Sequence, residues 1–327
     1  MVIFRGDGDP HPWTLPDPPP WRQFNGGPLV TYTTDACDGE ASRPNAVERA
    51  VTYRADAREV ELVNVAIMLR RPLLVTGRPG TGKSTLAYAI AHELGLGPVL
   101  RWPVTSRTTL QDGLYRYDAI ARLQDANLSP QHRPAADIGR YLQLGPLGTA
   151  LLPTETPRVL LIDEVDKSDM DLPNDLLNVL EDGEYRIPEL VRIADTVAGV
   201  EVGIEQAATP VRVERGLVRC HAFPIVVMTS NGEREFPPAF LRRCVRLDIA
   251  EPDAERLEAI VRAHLGDEAL TANADLIQRF LERRAVGELA TDQLLNAIFL
   301  TMNAEQTGVA DRYELAELVL RHLNPTG

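Results

Sequence analysis

The stretch Leu73-Leu74-Val75-Thr76-Gly77-Arg78-Pro79-Gly80-Thr81-Gly82-Lys83-Ser84-Thr85 decides how this chain is read. It begins as a short apolar run of the kind that forms a buried strand, and residues 85–94 carry helix spacing. Between the two, Gly77 to Ser84 fits the pattern G-x-x-x-x-G-K-[ST] at every position. Glycines let such a loop wrap a phosphate with its N–H groups turned inward, and the N-terminus of the following helix adds its positive end. Gly77, Arg78, Pro79, Gly80, Thr81, Gly82, Lys83, Ser84 and Thr85 are therefore the candidate nucleotide-binding residues. Lys83 is expected to reach the β- and γ-phosphates, and Ser84 to ligate Mg2+. A chance match in a chain this long is on the order of one in a hundred. The strand before the loop and the helix after it weaken the accidental reading further.

Working outward, short apolar runs recur at 99–102, 159–162, 225–228 and 245–247, separated by stretches of helix spacing. One of those stretches starts at Asp56, runs through Val60, Val63, Ile67 and Met68, and stops before Pro72. Runs of this length between helices describe a parallel sheet covered on both faces, an α/β sandwich with five strands. More than 50 residues separate the second run from the third, too many for a simple crossover, so an insertion is expected at about 105–157. The β-branched runs and turn residues of 184–220 read as hairpin insertions.

Two of these strands end in residues suited to phosphate chemistry, and a third is preceded by two arginines. The run 159–162 leads into Asp163 and Glu164. A buried strand would carry Asp163 to the edge of the sheet beside the loop, where it can hold Mg2+. Glu164, the next residue along the strand, is placed to polarise an attacking water, although Asp-Glu after an apolar run also suits a helix cap. Thr229-Ser230-Asn231 closes the fourth run, and Asn231 could hold water against the γ-phosphate or simply make a turn. Arg242 and Arg243 precede the fifth run. An arginine there cannot easily reach its own phosphate loop. It would either project toward the nucleotide of a neighbouring subunit or lie solvated.

The flanks differ from this middle region. Residues 1–45 carry Pro10, Pro12, Pro16, Pro18, Pro19 and Pro20, which forbid helix or central strand. They read as a disordered or extended tail, or as an arm packed on a neighbour through Trp13, Trp21 and Phe24. After the phosphate-loop core of 46–250, residues 251–327 show helix spacing at 254–265, 274–284, 291–304 and 313–323, which describes a small all-α lid domain.

Composition bounds the partners. Lys and Arg number 34 against 47 Asp and Glu, a net charge of −13 that repels nucleic-acid backbones and anionic headgroups. No apolar run approaches the roughly 20 residues of a membrane helix, and the first residues lack the apolar core of a secretory signal. Cys37, Cys220 and Cys244 form neither a C-x-x-C pair nor a disulfide framework, which suits a cytoplasmic protein. The six histidines show no metal-ligand spacing, and Ser106 and Ser168 have no histidine partner in sequence.

Taken together, the motifs resemble the AAA+ ATPases and, within them, the MoxR-like, dynein-related branch, over about residues 46–325. Gly77-Arg78-Pro79-Gly80-Thr81-Gly82-Lys83-Ser84 is similar to that family's Walker A, Leu160-Leu161-Ile162-Asp163-Glu164-Val165-Asp166-Lys167 to its Walker B, and Thr229-Ser230-Asn231 to its sensor 1. Gly145-Pro146-Leu147 looks like the start of the branch's helix-2 region, and residues 176–183 are similar to the helix that follows Walker B. The resemblance implies a P-loop NTPase fold, ATP and Mg2+ as cofactors, and a homo-oligomer, most often a hexameric ring. It also implies a protein client, with a von Willebrand factor A domain protein as the associated partner. The family's arginine finger aligns with Arg242-Arg243-Cys244 and favours Arg243, with Arg242 second.

One departure concerns the sensor 2 arginine that usually opens a lid helix. The corresponding residues here, 286–292, contain no arginine, so either Arg283 or Arg284 substitutes, or the lid senses the γ-phosphate differently, or turnover is slow. Two functions follow. One is an Mg2+-dependent ATPase that remodels or activates a protein. The other is a nucleotide-gated scaffold or switch in a defence or signalling complex, with slow or no hydrolysis. No residue reads guanine recognisably, so ATP is expected over GTP.

Overall fold

A computed structural model of the chain describes residues 2–34, 50–128, 135–284 and 291–307. The expected helix at 313–323, the tail residues 35–45 and the sensor 2 positions 286–290 lie outside the described residues. Along the chain the elements are α1 (Ala57–Leu69), β1 (Leu73–Thr76), α2 (Lys83–Glu93), β2 (Leu100–Pro103), α3 (Leu110–Leu114), β3 (Tyr115–Tyr117), α4 (Ala119–Leu128), β4 (Leu142–Leu144), α5 (Pro146–Ala150) and β5 (Val159–Asp163). There follow α6 (Asp171–Asp182), β6 (Glu184–Arg186), α7 (Pro188–Val191), β7 (Gly199–Ile204), β8 (Ala207–Glu214), β9 (Leu217–Arg219), β10 (Ile225–Ser230), α8 (Pro238–Leu241), β11 (Val245–Asp248), α9 (Ala254–Ala272), α10 (Ala274–Arg284) and α11 (Thr291–Thr307).

The central sheet has the order β11-β1-β10-β5-β2, with every pair parallel. Its inner strands are apolar at successive positions because both faces are covered. Every residue of β5 and of β10 is buried. Side chains alternate between two cores. Leu74, Leu160, Ile162, Val226 and Met228 join one core with α5 and α6, whereas Leu73, Val75, Leu161, Val227 and Leu247 join the other with α1 and α2. Each fully buried aliphatic side chain contributes about 1.5–3 kcal/mol. Strand identity is thus enforced from both sides.

Helix ends follow their local chemistry. Asp56 caps α1, accepting from the Glu59 backbone while the Glu59 side chain accepts from the Asp56 N–H. Asp253 caps α9 by accepting from the Arg256 backbone. The expected helix at 254–265 continues to Ala272, but Gly266 (φ 86°, ψ 171°) breaks its regularity between the two halves. The described lid helices enclose their own core of Leu257, Val261, Ala269, Ile277, Phe280, Leu294 and Ile298.

The two insertions fold against each other. Strands β3 and β4 arise in the first and β7 and β8 in the second, and they form one sheet of order β3-β4-β7-β8. Its seam is the parallel contact of Gln143 with Gly203. The strands β6 and β9 form a separate antiparallel pair.

Of the expected disordered or extended tail, or arm packed on a neighbour, the N-terminal segment keeps only the extended backbone: it is ordered and packs on its own chain. Residues 2–34 are mostly extended, as suits their seven prolines, but they lie on this chain's own core. Ile3 and Phe4 are fully buried beside α1 and α2. Their N–H groups donate to the Asn64 side chain at 2.7 and 3.0 Å. Glu93, itself inaccessible, accepts from the backbone N–H groups of Arg5 and Gly6. The Trp13 indole donates to the Leu94 carbonyl at 2.7 Å, and Phe24 stacks on Phe223 at 4.9 Å. Trp21 stays exposed. The reason is local supply: α1 and α2 offer apolar surface and unpaired carbonyls within reach of the segment. No described helix is long and apolar enough to cross a membrane.

Because Phe4 is a core residue, Phe4→Ala is expected to lower the unfolding free energy by about 3 kcal/mol. Guanidinium denaturation measures this, and a loss too small to resolve would show that the segment is dispensable to the folded core.

Candidate active site

The phosphate loop needs backbone that only glycine adopts cheaply. Gly77, Gly80 and Gly82 have φ of 147°, 78° and 88°. A Cβ on Gly77 would sit 2.6 Å from the Ile249 carbonyl oxygen, so this turn is closed to larger residues. Lys83 Nζ donates to the carbonyls of Gly77 at 2.7 Å and Arg78 at 2.8 Å, which folds the side chain back along its own loop. Burial lowers the proton affinity of the Lys83 ammonium, and Asp166, Asp163 and Glu164 oppose that fall. The Arg78 guanidinium turns away from the loop and pairs with Glu251, in the segment joining core to lid, at 2.8 Å. Thr81 Oγ1 donates to the Arg78 carbonyl, and Thr85 lines the cavity beside the loop.

Asp163 closes β5 beside the first turn of α2. Its Oδ1 accepts from Ser84 Oγ at 2.7 Å and from Thr229 Oγ1 at 2.8 Å. Its Oδ2 accepts from Arg101 Nη2 at 2.9 Å. Burial alone would push this carboxyl up, but the hydrogen bonds from Ser84, Arg101 and Thr229 outweigh it and hold the group below the ordinary aspartate range. A hydroxyl and a carboxylate side by side are hard oxygen donors, the set that suits Mg2+ with its remaining waters. The residues present therefore fit the metal that Ser84 and Asp163 were expected to ligate.

Glu164 does not continue the strand. The chain leaves β5 at Asp163, and Glu164 adopts a left-handed conformation (φ 61°, ψ 50°) that starts the single turn Val165–Lys167. A non-glycine residue there costs on the order of 1–2 kcal/mol, so the surroundings must hold it. They do so through the Glu164 N–H, which donates to Thr229 Oγ1 at 2.8 Å. Thr229 thus ties Asp163 and Glu164 into one unit. The Glu164 carboxylate, half-exposed, pairs with Lys167 Nζ at 2.8 Å.

Asn231 follows β10, the strand between β1 and β5. Its N–H donates to Asp166 Oδ2 at 2.9 Å, and the Glu233 N–H donates to the same oxygen at 3.1 Å. The buried Asp166 therefore fixes where Asn231 stands relative to Glu164. Arg242 and Arg243 do not join this group. Both are exposed after α8, and Arg243 Nε lies 3.5 Å from Glu181 at the end of α6.

A cavity of about 410 Å3 opens between loop and lid, within the size range of small-molecule sites. Tyr53, Gly80 and Gly82 line it from the core, and Arg256, Ile260, His264 and Thr291 from the lid. Thr291 and Asp292, the described end of the segment aligned with sensor 2, face it without an arginine. Among the described lid residues, the arginine that lines it is Arg256, on α9. Arg256 Nη2 binds Glu59 Oε1 at 2.8 Å, and the buried Glu59 accepts from the Tyr53 hydroxyl at 2.8 Å. Burial first, then Glu59, pushes the Tyr53 hydroxyl well up. The Tyr53 ring abuts Gly82, so one chain of contacts runs from phosphate loop to lid.

Sequence reasoning missed Arg101, Thr229 as a bridge, Asp166, Lys167 and Arg256. A signal existed for Arg101, a charge inside the apolar run 99–102, and for Lys167, three residues after Glu164. None existed for Arg256 and Glu59, which are 197 residues apart.

Arg256→Ala leaves the buried Glu59 without its counter-charge and loosens the lid over the cavity. ATP affinity is expected to fall about ten-fold in a titration with a fluorescent ATP analogue. An unchanged Kd would show that this ion pair does not shape the cavity.

Residues 72–244 match the family described as AAA domain (dynein-related subfamily). The match runs from the residue before β1 to the residue before β11 and takes in the phosphate loop, Asp163, Glu164, Asn231, Arg242 and Arg243. Proteins of this family bind nucleotide with a metal, generally Mg2+. The match spans just over half of the chain, and its sheet is the one that a P-loop NTPase requires. The chain belongs to the dynein-related subfamily of the AAA+ ATPases.

Proposed function

We propose that this protein is an Mg2+-dependent, ring-forming, MoxR-like ATPase that remodels or activates a protein client. The observation that carries the reading is the Thr229-bridged unit of Ser84, Asp163 and Glu164 beneath the glycine loop. Gly77 to Thr85 hold the triphosphate through backbone N–H groups, and Lys83 swings from its loop carbonyls to the β- and γ-phosphates. Ser84 and Asp163 hold Mg2+. A metal held there would screen the phosphate charges and steady the leaving group. Glu164, released from Lys167, accepts a proton from the attacking water, and Asn231 orients that water.

Arg243 of the partner subunit supplies charge to the transferring phosphoryl group, with Arg242 second. Its exposed position beside Glu181, outside the group around Asp163 and Glu164, supports a role in trans, and a closed ring, hexameric by resemblance, would place it against the next site. Lid movement about the segment joined by Arg78 and Glu251 would carry hydrolysis to the insertions. The net charge of −13 favours a protein client over nucleic acid. A von Willebrand factor A domain protein is the partner class to try first, and a cytoplasmic setting suits the cysteine content.

A second reading keeps nucleotide binding but makes the protein a slow switch or scaffold. The Glu164–Lys167 ion pair and the arginine-free start of α11 favour it.

Turnover by wild type and Glu164→Gln separates the two. For an ATPase, Glu164→Gln is expected to bind ATP as wild type does and to lose at least about 100-fold in kcat. Undiminished hydrolysis in the variant would remove Glu164 as base. Negligible hydrolysis by wild type, with ATP-dependent assembly seen by mass photometry, would select the scaffold.

A further inference from the structure

The N-terminal segment reaches the candidate arginine finger through a single carboxylate. Arg22 lies outside the matched span, yet its guanidinium is buried against α6 and the end of α1. It donates from Nη1 to the Glu181 carbonyl at 3.0 Å, and from Nη2 to the carbonyls of Leu180 at 3.1 Å and Arg70 at 2.6 Å. The same group lies 5.0 Å from the centres of the Phe24 and Phe223 rings. Three carbonyls and two rings hold Arg22 in place, and it caps the C-terminal end of α6, where carbonyls lack helical partners.

The Glu181 side chain extends from this anchored turn. One oxygen, Oε2, lies 3.4 Å from Arg22 Nη1 and 3.5 Å from Arg243 Nε. Next door, Arg71 Nη1 donates to the Arg242 carbonyl at 2.9 Å, so the turn carrying both arginines is held at its backbone as well. Arg243 Nη1 makes a long contact of 3.4 Å with the Ala239 carbonyl. The stem of Arg243 is thus steered from the Nε side, while its side chain remains about half exposed. A carboxylate between two guanidinium groups orients both, and the fixed one sets the direction of the mobile one.

We propose that Arg22 and Glu181 are positioning residues for the finger: the N-terminal segment, through the buried Arg22 and the carboxylate of Glu181, aims Arg243 outward at the nucleotide of the next subunit. The proposal rests on the reading of Arg243 as the finger that acts in trans. It gives the N-terminal segment a task in turnover beyond covering the core.

Glu181→Gln keeps the side chain's size and removes its charge at a half-exposed position, so folding is not at stake. ATP turnover by the full chain is measured over a range of ATP concentrations, alone and combined with Arg243→Ala. The expected result is a kcat about three- to five-fold lower with KM unchanged, the scale of a solvent-accessible ion pair. In the Arg243→Ala background the same substitution is expected to add nothing, because the residue it positions is gone. Arg22→Gln, followed by its melting temperature, is expected to show the same dependence on Arg243. A kcat equal to or above that of wild type, a raised KM, or a loss that persists undiminished without Arg243 overturns the proposal. If Arg243→Ala itself leaves kcat unchanged, the finger reading fails first and this one falls with it. If Arg243→Ala lowers kcat and Glu181→Gln does not, the positioning role alone is wrong.

Discussion

A buried carboxylate with two oxygens and too many neighbours organises this protein. Asp163 is delivered to the sheet edge by a strand with no exposed residue, and it must find compensation there. Ser84 brings the helix after the glycine loop, Thr229 brings β10, and Arg101 brings β2. Three of the five central strands and the phosphate-binding helix are therefore registered on one side chain. The parallel pairing sets the strand spacing, but this carboxylate sets which residue of each strand stands beside the loop. The Arg101 guanidinium, with the hydroxyls of Ser84 and Thr229, offsets the burial of this charge.

The strand ends and the phosphate loop were legible in the sequence because each depends on neighbours in sequence. Gly77 to Ser84 are eight adjacent residues, and Asp163 and Glu164 simply follow an apolar run. A strand buried on both faces also announces itself by unbroken hydrophobicity, so the five-stranded sheet could be expected from 73–75, 99–102, 159–162, 225–228 and 245–247. What could not be read depends on pairs far apart. Glu59 and Arg256 meet only because the lid folds back over α1, and no local pattern encodes that return. Glu164 was expected to alternate with Asp163 along a strand, yet the strand stops one residue earlier. The left-handed turn there is stabilised by Thr229, a residue 65 positions away.

The N-terminal segment shows the same limit from the opposite side. Its prolines exclude helix and were read as a sign of disorder, but extended chain is compatible with close packing when carbonyls and apolar grooves are in reach. Asn64 and Glu93, polar residues buried on the core faces of α1 and α2, are the partners that hold it. A polar residue facing inward on an amphipathic helix is thus a sign that another segment is needed to satisfy it.

The merged insertions carry a mechanical consequence. The turn between β7 and β8 is pinned where β2 and β5 begin: Gln206 Nε2 donates to the Val99 carbonyl at 2.8 Å and Gln206 Oε1 accepts from Arg158 at 3.0 Å. Glu205 N–H donates to Thr149 at 3.1 Å. A sheet sewn from two separate excursions, and clamped at the end of the strands opposite the phosphate loop, resists shear as a stiff plate does. Force applied to its outer edge would travel down the length of β2 and β5 toward Arg101 and Asp163, as along a pair of parallel rods, instead of dissipating in a loose loop.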